Sequence, residues 1–154
     1  MQKIFVILHD IRSSENVGSI LRTADAAGVS KVYLSGYTPA PIDRFKRKNA
    51  KLAKAALGAE DSVPWEEAPD IQALLKKLKD DSIAIIAVEQ SSDSIVYSDF
   101  VLEKPTAFIF GNEVDGVPQD VLKAADTIVE IPMHGKKESL NVSVSAGIIL
   151  FEVL

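Results

Sequence analysis

Short apolar runs rich in β-branched residues alternate along the chain with segments whose apolar positions recur every three or four residues. The runs predict buried β-strands at residues 3–8, 31–34, 83–88, 107–110 and 127–131. The segments between them have the spacing of helices, at residues 14–27, 44–57, 68–79 and 117–125. Strands that alternate with helices predict an α/β fold, in which a mainly parallel sheet has helices on both faces.

Glycine and proline mark the ends of the predicted helices. Gly28 stops the first helix and Gly58 closes the second, while Pro69 and Pro118 lie in the first turns of the other two. The last segment, residues 140–154, is almost wholly apolar, and its composition permits either a strand or a helix. A helix that is apolar on nearly all sides must be buried. We therefore expect this segment to pack against a second copy of the chain in a homodimer or, alternatively, against its own sheet.

The composition predicts one globular domain over residues 1–154. The chain has 154 residues, of which 47% are hydrophobic and 25% are charged, and it has no cysteine. Disulfides and thiolate metal sites are therefore excluded, and a cytoplasmic location is expected. The two histidines, His9 and His134, have no carboxylates at a spacing typical of a metal site, so we expect no metal. No apolar stretch is long enough to suggest a membrane span.

Charge is distributed unevenly along the chain. The formal net charge of -5 counts against uniform electrostatic binding of nucleic acid. Residues 44–54, the basic segment, nevertheless contain no acidic residue and carry six cations: Arg44, Lys46, Arg47, Lys48, Lys51 and Lys54. This segment is a candidate phosphate-binding surface, although the solvated face of an ordinary helix can carry the same charges.

Several common catalytic signatures are missing from the sequence. It contains no Gly-x-x-x-x-Gly-Lys-Ser/Thr loop, no Gly-x-Gly-x-x-Gly after the first strand and no Gly-x-Ser-x-Gly elbow. The polar residues that stand out are amide, guanidinium, carboxylate and hydroxyl groups near the ends of predicted strands. Ligands of open α/β sheets bind at the carboxyl ends of the strands.

Three motifs contain most of these polar residues. The first is Asn-Val-Gly-Ser-Ile-Leu-Arg-Thr-Ala at residues 16–24, and the second is Gly-Asn-Glu-Val-Asp-Gly at residues 111–116. The third combines Ile-Pro-Met at residues 131–133 with Ser-Leu-Asn-Val-Ser at residues 139–143. Taken singly, each motif has an ordinary structural explanation, such as helix capping, a surface ion pair or a common turn.

In this order, the three motifs resemble those of the SpoU/TrmH family of RNA ribose 2'-O-methyltransferases, within the SPOUT superfamily. The resemblance covers nearly the whole chain, and residues 51–65 look more like the TrmH and ribosomal RNA branches than the smallest wobble-base branch. It implies a C-terminal trefoil knot, which periodicity cannot reveal. It also implies methyl transfer from S-adenosylmethionine to a ribose 2'-hydroxyl of tRNA or rRNA. The alternative is a catalytically silent, knotted RNA-binding or adaptor protein.

The resemblance assigns a role to Arg22, which matches the catalytic arginine of the family. Arginine is a permanent cation, so we expect Arg22 to position the hydroxyl and stabilise charge, and its part in proton transfer stays open. Four more residues match the catalytic polar set: Asn16, Glu113, Ser139 and Asn141. Backbone groups expected to line the cofactor pocket belong to Gly111, Ile131 and Leu140.

The resemblance leaves RNA binding to few residues. We expect no separate RNA-binding extension, because the chain shows neither an N-terminal RNA-binding domain nor a basic C-terminal segment like those of larger relatives. The expected RNA contacts therefore come from the basic segment: Arg44, Lys46, Arg47, Lys48 and Lys51.

Overall fold

In a computed structural model, which describes residues 1–154, seven parallel strands form one sheet. The strands are β1 (Ile4–His9), β2 (Lys31–Ser35), β3 (Trp65–Glu67), β4 (Ala84–Val88), β5 (Ile95–Val96), β6 (Thr106–Phe110) and β7 (Thr127–Glu130). Their order across the sheet is β3-β2-β1-β6-β4-β7-β5, and every neighbouring pair is parallel. The predicted α/β fold with a parallel sheet is confirmed.

Helices cover both faces of this sheet. One face packs against α1 (Ser14–Ala26), α2 (Ala50–Ala56), α3 (Ala59–Ser62) and α6 (Val142–Glu152), and the other against α4 (Ile71–Asp80) and α5 (Gln119–Ala124). Side chains of β1 alternate between the two cores, with Val6 and Leu8 in one and Ile7 in the other. A short 3-10 helix spans Tyr97–Asp99. The longest helix has 13 residues, and none could cross a membrane.

The five predicted strands are present, and each end lies within one residue of its prediction. The hydrophobic pattern does not predict β3, β5 and α3, because with 3, 2 and 4 residues they are too short to show a period. The first helix is also confirmed. The Ser13 side chain accepts a hydrogen bond from the Asn16 backbone at its start, and Gly28, with a φ of 72°, follows its end.

The basic helix predicted over residues 44–57 is wrong in its first part. The helix α2 begins only at Ala50, after Asn49 as its N-cap. Residues 42–48 form a turn instead, closed by an antiparallel bridge between Ile42 and Lys48. The Asp43 side chain accepts hydrogen bonds from backbone groups inside this turn, and such local bonds compete with a helix.

Both proline-containing helices also begin later than predicted. The side chain of Asp70 caps α4 at Ile71, so Pro69 precedes the helix and does not lie in its first turn. Pro118 is likewise the N-cap residue of α5 and lies outside it. A proline has no backbone N–H to lose, so it fits at a helix boundary in either place.

The ambiguous last segment contains the helix α6. Three of its residues, Ala146, Ile149 and Leu150, are buried in the core of the same chain, so burial within its own chain is observed for that side, where α6 packs mainly against α1. The outer side keeps Val144 and Phe151 about half exposed, at 50% and 53%. The homodimer and the trefoil knot stay predictions.

Candidate active site

A cleft of about 420 Å³ opens where β4, β6 and β7 end. Residues that follow these strands line it, and the start of α6 forms another wall. Parallel strands present their carboxyl ends at one edge of a sheet, and ligands of open α/β sheets bind there. The volume lies within the usual range for sites that bind small molecules.

The turn at residues 111–116 forms one wall of the cleft, and the backbone at its two ends comes into close contact. Asn112 and Gly116 exchange two backbone hydrogen bonds, of 3.2 Å and 2.9 Å. A Cβ atom on Gly111 would lie 2.4 Å from the carbonyl carbon of Gly116. A Cβ atom on Gly116 would lie 2.0 Å from Oε2 of Glu89, and Gly116 has a φ of 68°. Both positions therefore require glycine.

The carboxylate of Glu113 connects this turn to the start of α1. Its Oε1 accepts a hydrogen bond from the backbone of Arg12 at 2.9 Å. Its Oε2 accepts from the backbone of Ser13 at 2.9 Å and from Nδ2 of Asn16 at 3.1 Å. Burial acts to raise the pKa of Glu113, but these hydrogen bonds outweigh it and hold the pKa below its ordinary value. Glu113 is therefore an ionised acceptor that orients its neighbours.

Asn16 extends the network from Glu113 to α6. Its Oδ1 accepts a hydrogen bond from Nδ2 of Asn141 at 3.2 Å. Oδ1 of Asn141 in turn accepts from the backbone of Ser143 at 2.8 Å, which caps α6. Asn141 thus caps a helix and also lines the cleft. One continuous network holds Glu113, Asn16 and Asn141 in place.

The cleft brings together six of the eight residues expected at the catalytic and cofactor sites: Gly111, Glu113, Ile131, Ser139, Leu140 and Asn141. Asn16 contacts two of these residues without lining the cleft itself. Arg22 is exposed on α1, lies outside the cleft and makes no hydrogen bond or salt bridge within the chain. The exposed basic side chains of the basic segment also lie outside the cleft.

Glu89, Gln90 and Glu130 line the cleft but lie outside the three motifs, and no site prediction included them. Oε2 of Glu89 accepts a hydrogen bond from the backbone of Val117 at 2.9 Å. Nε2 of Gln90 donates to the carbonyl oxygen of Glu138 at 2.8 Å and so joins the end of β4 to the third motif. These three residues lie at or just after the ends of β4 and β7, so the strand-end rule could have found them. The chain has no group of three or more His, Asp or Glu side chains that could hold a metal ion.

A comparison with protein families bears on this arrangement. The family described as the SpoU rRNA Methylase family matches residues 3–151. The chain belongs to the SpoU family. The match includes all three motifs and every strand of the sheet.

Curated relatives of this SpoU-family chain are longer than the chain. It is 39% identical over 149 residues to the 23S rRNA (guanosine-2'-O-)-methyltransferase RlmB of Neisseria meningitidis serogroup B, across 97% of the chain and 57% of the relative. It is 33% identical over 153 residues to RlmB of Escherichia coli K12, across 99% of the chain and 60% of the relative. The chain spans less than two thirds of the length of these relatives.

Solved structures share the fold of this SpoU-family chain. The AdoMet-bound rRNA methyltransferase from Sinorhizobium meliloti superposes with a TM-score of 0.89 at 29% identity, over 97% of this chain and 55% of that one. The TrmH/SpoU tRNA modifying enzyme of A. aeolicus superposes with a TM-score of 0.85 at 30% identity, over 99% of this chain and 74% of that one. The α/β fold of the chain is therefore that of the SpoU methyltransferases.

Proposed function

We propose that this chain is an S-adenosylmethionine-dependent RNA 2'-O-ribose methyltransferase that acts on ribosomal RNA in the cytoplasm. The observation that carries the proposal is the network from Glu113 through Asn16 to Asn141, which joins the three motifs at one cleft. Ribosomal RNA is favoured over tRNA because the curated relatives at 39% and 33% identity are named as 23S rRNA methyltransferases.

The cleft fits S-adenosylmethionine in shape and in charge. Ile131 and Leu140 supply apolar walls, and the glycine turn at residues 111–116 leaves backbone groups accessible to a ligand. Glu130 lines the cleft, its carboxyl group makes no hydrogen bond inside the chain, and its charge complements a cationic ligand. Backbone groups of Gly111, Ile131 and Leu140 would hold the cofactor. When bound, S-adenosylmethionine supplies an electrophilic methyl group on a sulfonium.

The polar residues of the cleft position the acceptor ribose. Glu113, held ionised by its donors, fixes the amide of Asn16, and Asn16 fixes that of Asn141. Ser139 is exposed beside them and offers a hydroxyl to the ribose. Groups fixed before the reaction lower the entropic cost of aligning the 2'-oxygen with the methyl group.

We infer that Arg22 acts at the cleft of a second copy of the chain. Arg22 does not line its own cleft, and α1 packs beside α6, whose first residues border that cleft. The outer side of α6 exposes Val144 and Phe151, and a two-fold dimer that buries them can bring Arg22 of one protomer to the partner's cleft. There its permanent charge would stabilise the negative charge that develops on the 2'-oxygen.

Binding of S-adenosylhomocysteine tests the cleft directly. Ser145 lines the cleft from α6, so Ser145→Phe should fill the cavity and abolish binding in isothermal titration calorimetry. The matched control is Ser98→Phe, because Ser98 is exposed and does not line the cleft. The control should bind as the wild type does. Equal binding by both variants, or no binding by the wild type at millimolar ligand, would show that the cleft is not the cofactor site.

A further inference from the structure

The turn at residues 42–48, which we call the basic turn, presents an aromatic ring among cations. The side chain of Phe45 is 62% exposed. The Cζ atoms of Arg44 and Arg47 lie 4.7 Å and 5.0 Å from the centre of its ring. Lys46 and Lys48 lie on either side of Arg47 in the sequence and are also exposed. An exposed aromatic ring thus lies against two guanidinium groups, and the same turn carries two exposed lysines.

Hydrogen bonds to Asp43 fix the shape of the basic turn. Oδ1 of Asp43 accepts from the backbone of Phe45 at 2.8 Å and of Arg47 at 2.9 Å. Oδ2 accepts from Nε of Arg47 at 2.8 Å, so this guanidinium is held beside the ring. Arg44 makes no hydrogen bond or salt bridge within the chain and is free to move from the ring to a ligand. A base can stack on the ring of Phe45 once Arg44 moves off it.

Both ends of the segment that carries the basic turn are fixed beside the cleft. At one end, Nδ2 of Asn112 donates a hydrogen bond to the hydroxyl of Tyr37 at 2.8 Å, next to the cleft residue Gly111. At the other end, Nδ2 of Asn49 donates to Oγ of Ser14 at 2.9 Å, one residue from the contact of Ser13 with Glu113. The segment that carries the basic turn therefore starts and ends at contacts with residues beside the cleft.

We propose that Phe45 is a stacking platform for an unpaired base of the RNA substrate, with Arg44, Lys46 and Lys48 on the adjoining phosphates. The proposal rests on the proposed function, which supplies RNA as the ligand. Bases stack on aromatic rings and on guanidinium planes, and cations neutralise the backbone. Paired bases in an A-form duplex are already stacked and their major groove is too narrow for side chains, so the platform selects an unpaired nucleotide.

Fluorescence anisotropy with two RNA probes tests this platform. The probes are a labelled single-stranded oligouridine and a labelled RNA duplex of the same length. Phe45→Leu, which keeps an apolar side chain but removes the ring, should weaken binding of the single strand on the order of tenfold and leave the salt dependence unchanged. Phe45→Trp should restore the affinity. Duplex binding should be the same for all three proteins.

A control separates stacking from a general loss of apolar surface. Val101 is 70% exposed and lies outside both the cleft and the basic turn, so Val101→Ala should bind both probes as the wild type does. Unchanged binding of the single strand by Phe45→Leu, or an equal loss for the duplex, would overturn the platform. Titration with S-adenosylhomocysteine on the same proteins tests the proposed function separately. Cofactor binding follows from the proposed function and does not depend on the platform, so a protein that binds the cofactor but shows no effect of Phe45→Leu would contradict the platform alone.

Discussion

At the scale of single residues, Glu113 joins the glycine turn of the cleft to the first turn of α1. Its two oxygens accept hydrogen bonds from two backbone N–H groups and one side-chain amide. Arg12 is 101 residues away from it in sequence, so this contact closes a long loop. Hydrogen bonds to an ionised acceptor are worth more than those between neutral groups, which makes Glu113 a structural and a positioning residue at once.

The lowered pKa of Glu113 gives its contribution a definite pH dependence. A carboxyl whose pKa is lower in the folded than in the unfolded state stabilises the fold above the unfolded value of about 4.3. That contribution is lost as the pH falls through the folded-state pKa. In urea unfolding, Glu113→Gln should lower the free energy of unfolding by about 1 kcal/mol at neutral pH, and by progressively less as the pH falls below about 4.

The control for this prediction is Glu103→Gln, because Glu103 is exposed and its carboxylate accepts no hydrogen bond. Glu103→Gln should leave the free energy of unfolding unchanged both at neutral pH and in acid. A Glu113→Gln effect of the same size in acid and at neutral pH would mean that the ionised state of Glu113 does not stabilise the fold.

At the scale of secondary structure elements, the close approach of α1 and α2 fixes the segment that carries the basic turn. A Cβ atom on Gly18 of α1 would lie 2.2 Å from the carbonyl oxygen of Leu52 and 2.9 Å from Cβ of Ala55. Backbone atoms of α2 cannot give way as a flexible side chain can, so the two helices can pack only with glycine at this position.

Two helical glycines therefore have opposite predicted effects when replaced by alanine. Gly18→Ala should force the helices apart and lower the free energy of unfolding by about 1–3 kcal/mol. Gly147→Ala in α6 meets only Cγ2 of Thr23, at 3.9 Å, and should raise stability by up to about 1 kcal/mol because alanine favours the helix. Thermal melts of the two variants, measured side by side, check both signs. A stable Gly18→Ala variant would show that α1 and α2 do not need this contact.

The hydrophobic pattern predicts those elements whose burial is visible in their own local sequence. The strand β1 is apolar on both faces because helices cover the sheet on both sides, and so its run is easy to recognise. The start of α2 could not be found in this way. The basic turn before it depends on the geometry of Asp43, and the helix begins only where Asn49 meets Ser14 of α1. Contacts between distant residues override local propensity there.

The same distinction separates the parts of the cleft that could be predicted from those that could not. The family motifs point to Gly111, Glu113 and Asn141, and all three line the cleft, where β6 ends and α6 begins. The link from Glu113 to Asn16 joins residues 97 positions apart, so no local pattern contains it. The position of Arg22 outside its own cleft could not be predicted either, because the helical period places Arg22 on the exposed side of α1 and says nothing of its distance from the cleft.

At the scale of the whole molecule, the proposed dimer makes each site depend on two chains. Arg22→Ala alone should lower turnover about a hundredfold or more without changing the melting temperature, because Arg22 is exposed and its side chain makes no hydrogen bond or salt bridge within the chain. Ser145→Phe alone should also be inactive. Co-expression of the two variants with different affinity tags isolates a mixed dimer. One of its two sites combines an intact cleft with an intact Arg22, so about a quarter to a half of the wild-type turnover should return.

The mixed dimer also distinguishes a shared site from one contained in a single chain. If Arg22 serves its own cleft, one chain of the mixed dimer lacks the arginine and the other lacks the cofactor site. Neither site would then turn over, and mixed dimers as inactive as their parents would refute the shared site. A chain that elutes as a monomer at micromolar concentration in light scattering would refute the dimer itself.

Transfer of a methyl group to a ribose is the central claim, and nucleoside mass spectrometry tests it most directly. The chain is incubated with S-adenosylmethionine and an unmodified 23S rRNA transcript, and the RNA is then digested to nucleosides. We predict a nucleoside that carries one additional methyl group on its ribose, present with the wild type and missing with Ser145→Phe. A methyl group on the base, or no methylated nucleoside although the chain binds both the cofactor and the RNA, would contradict the account. The second result would instead support a catalytically silent RNA-binding protein.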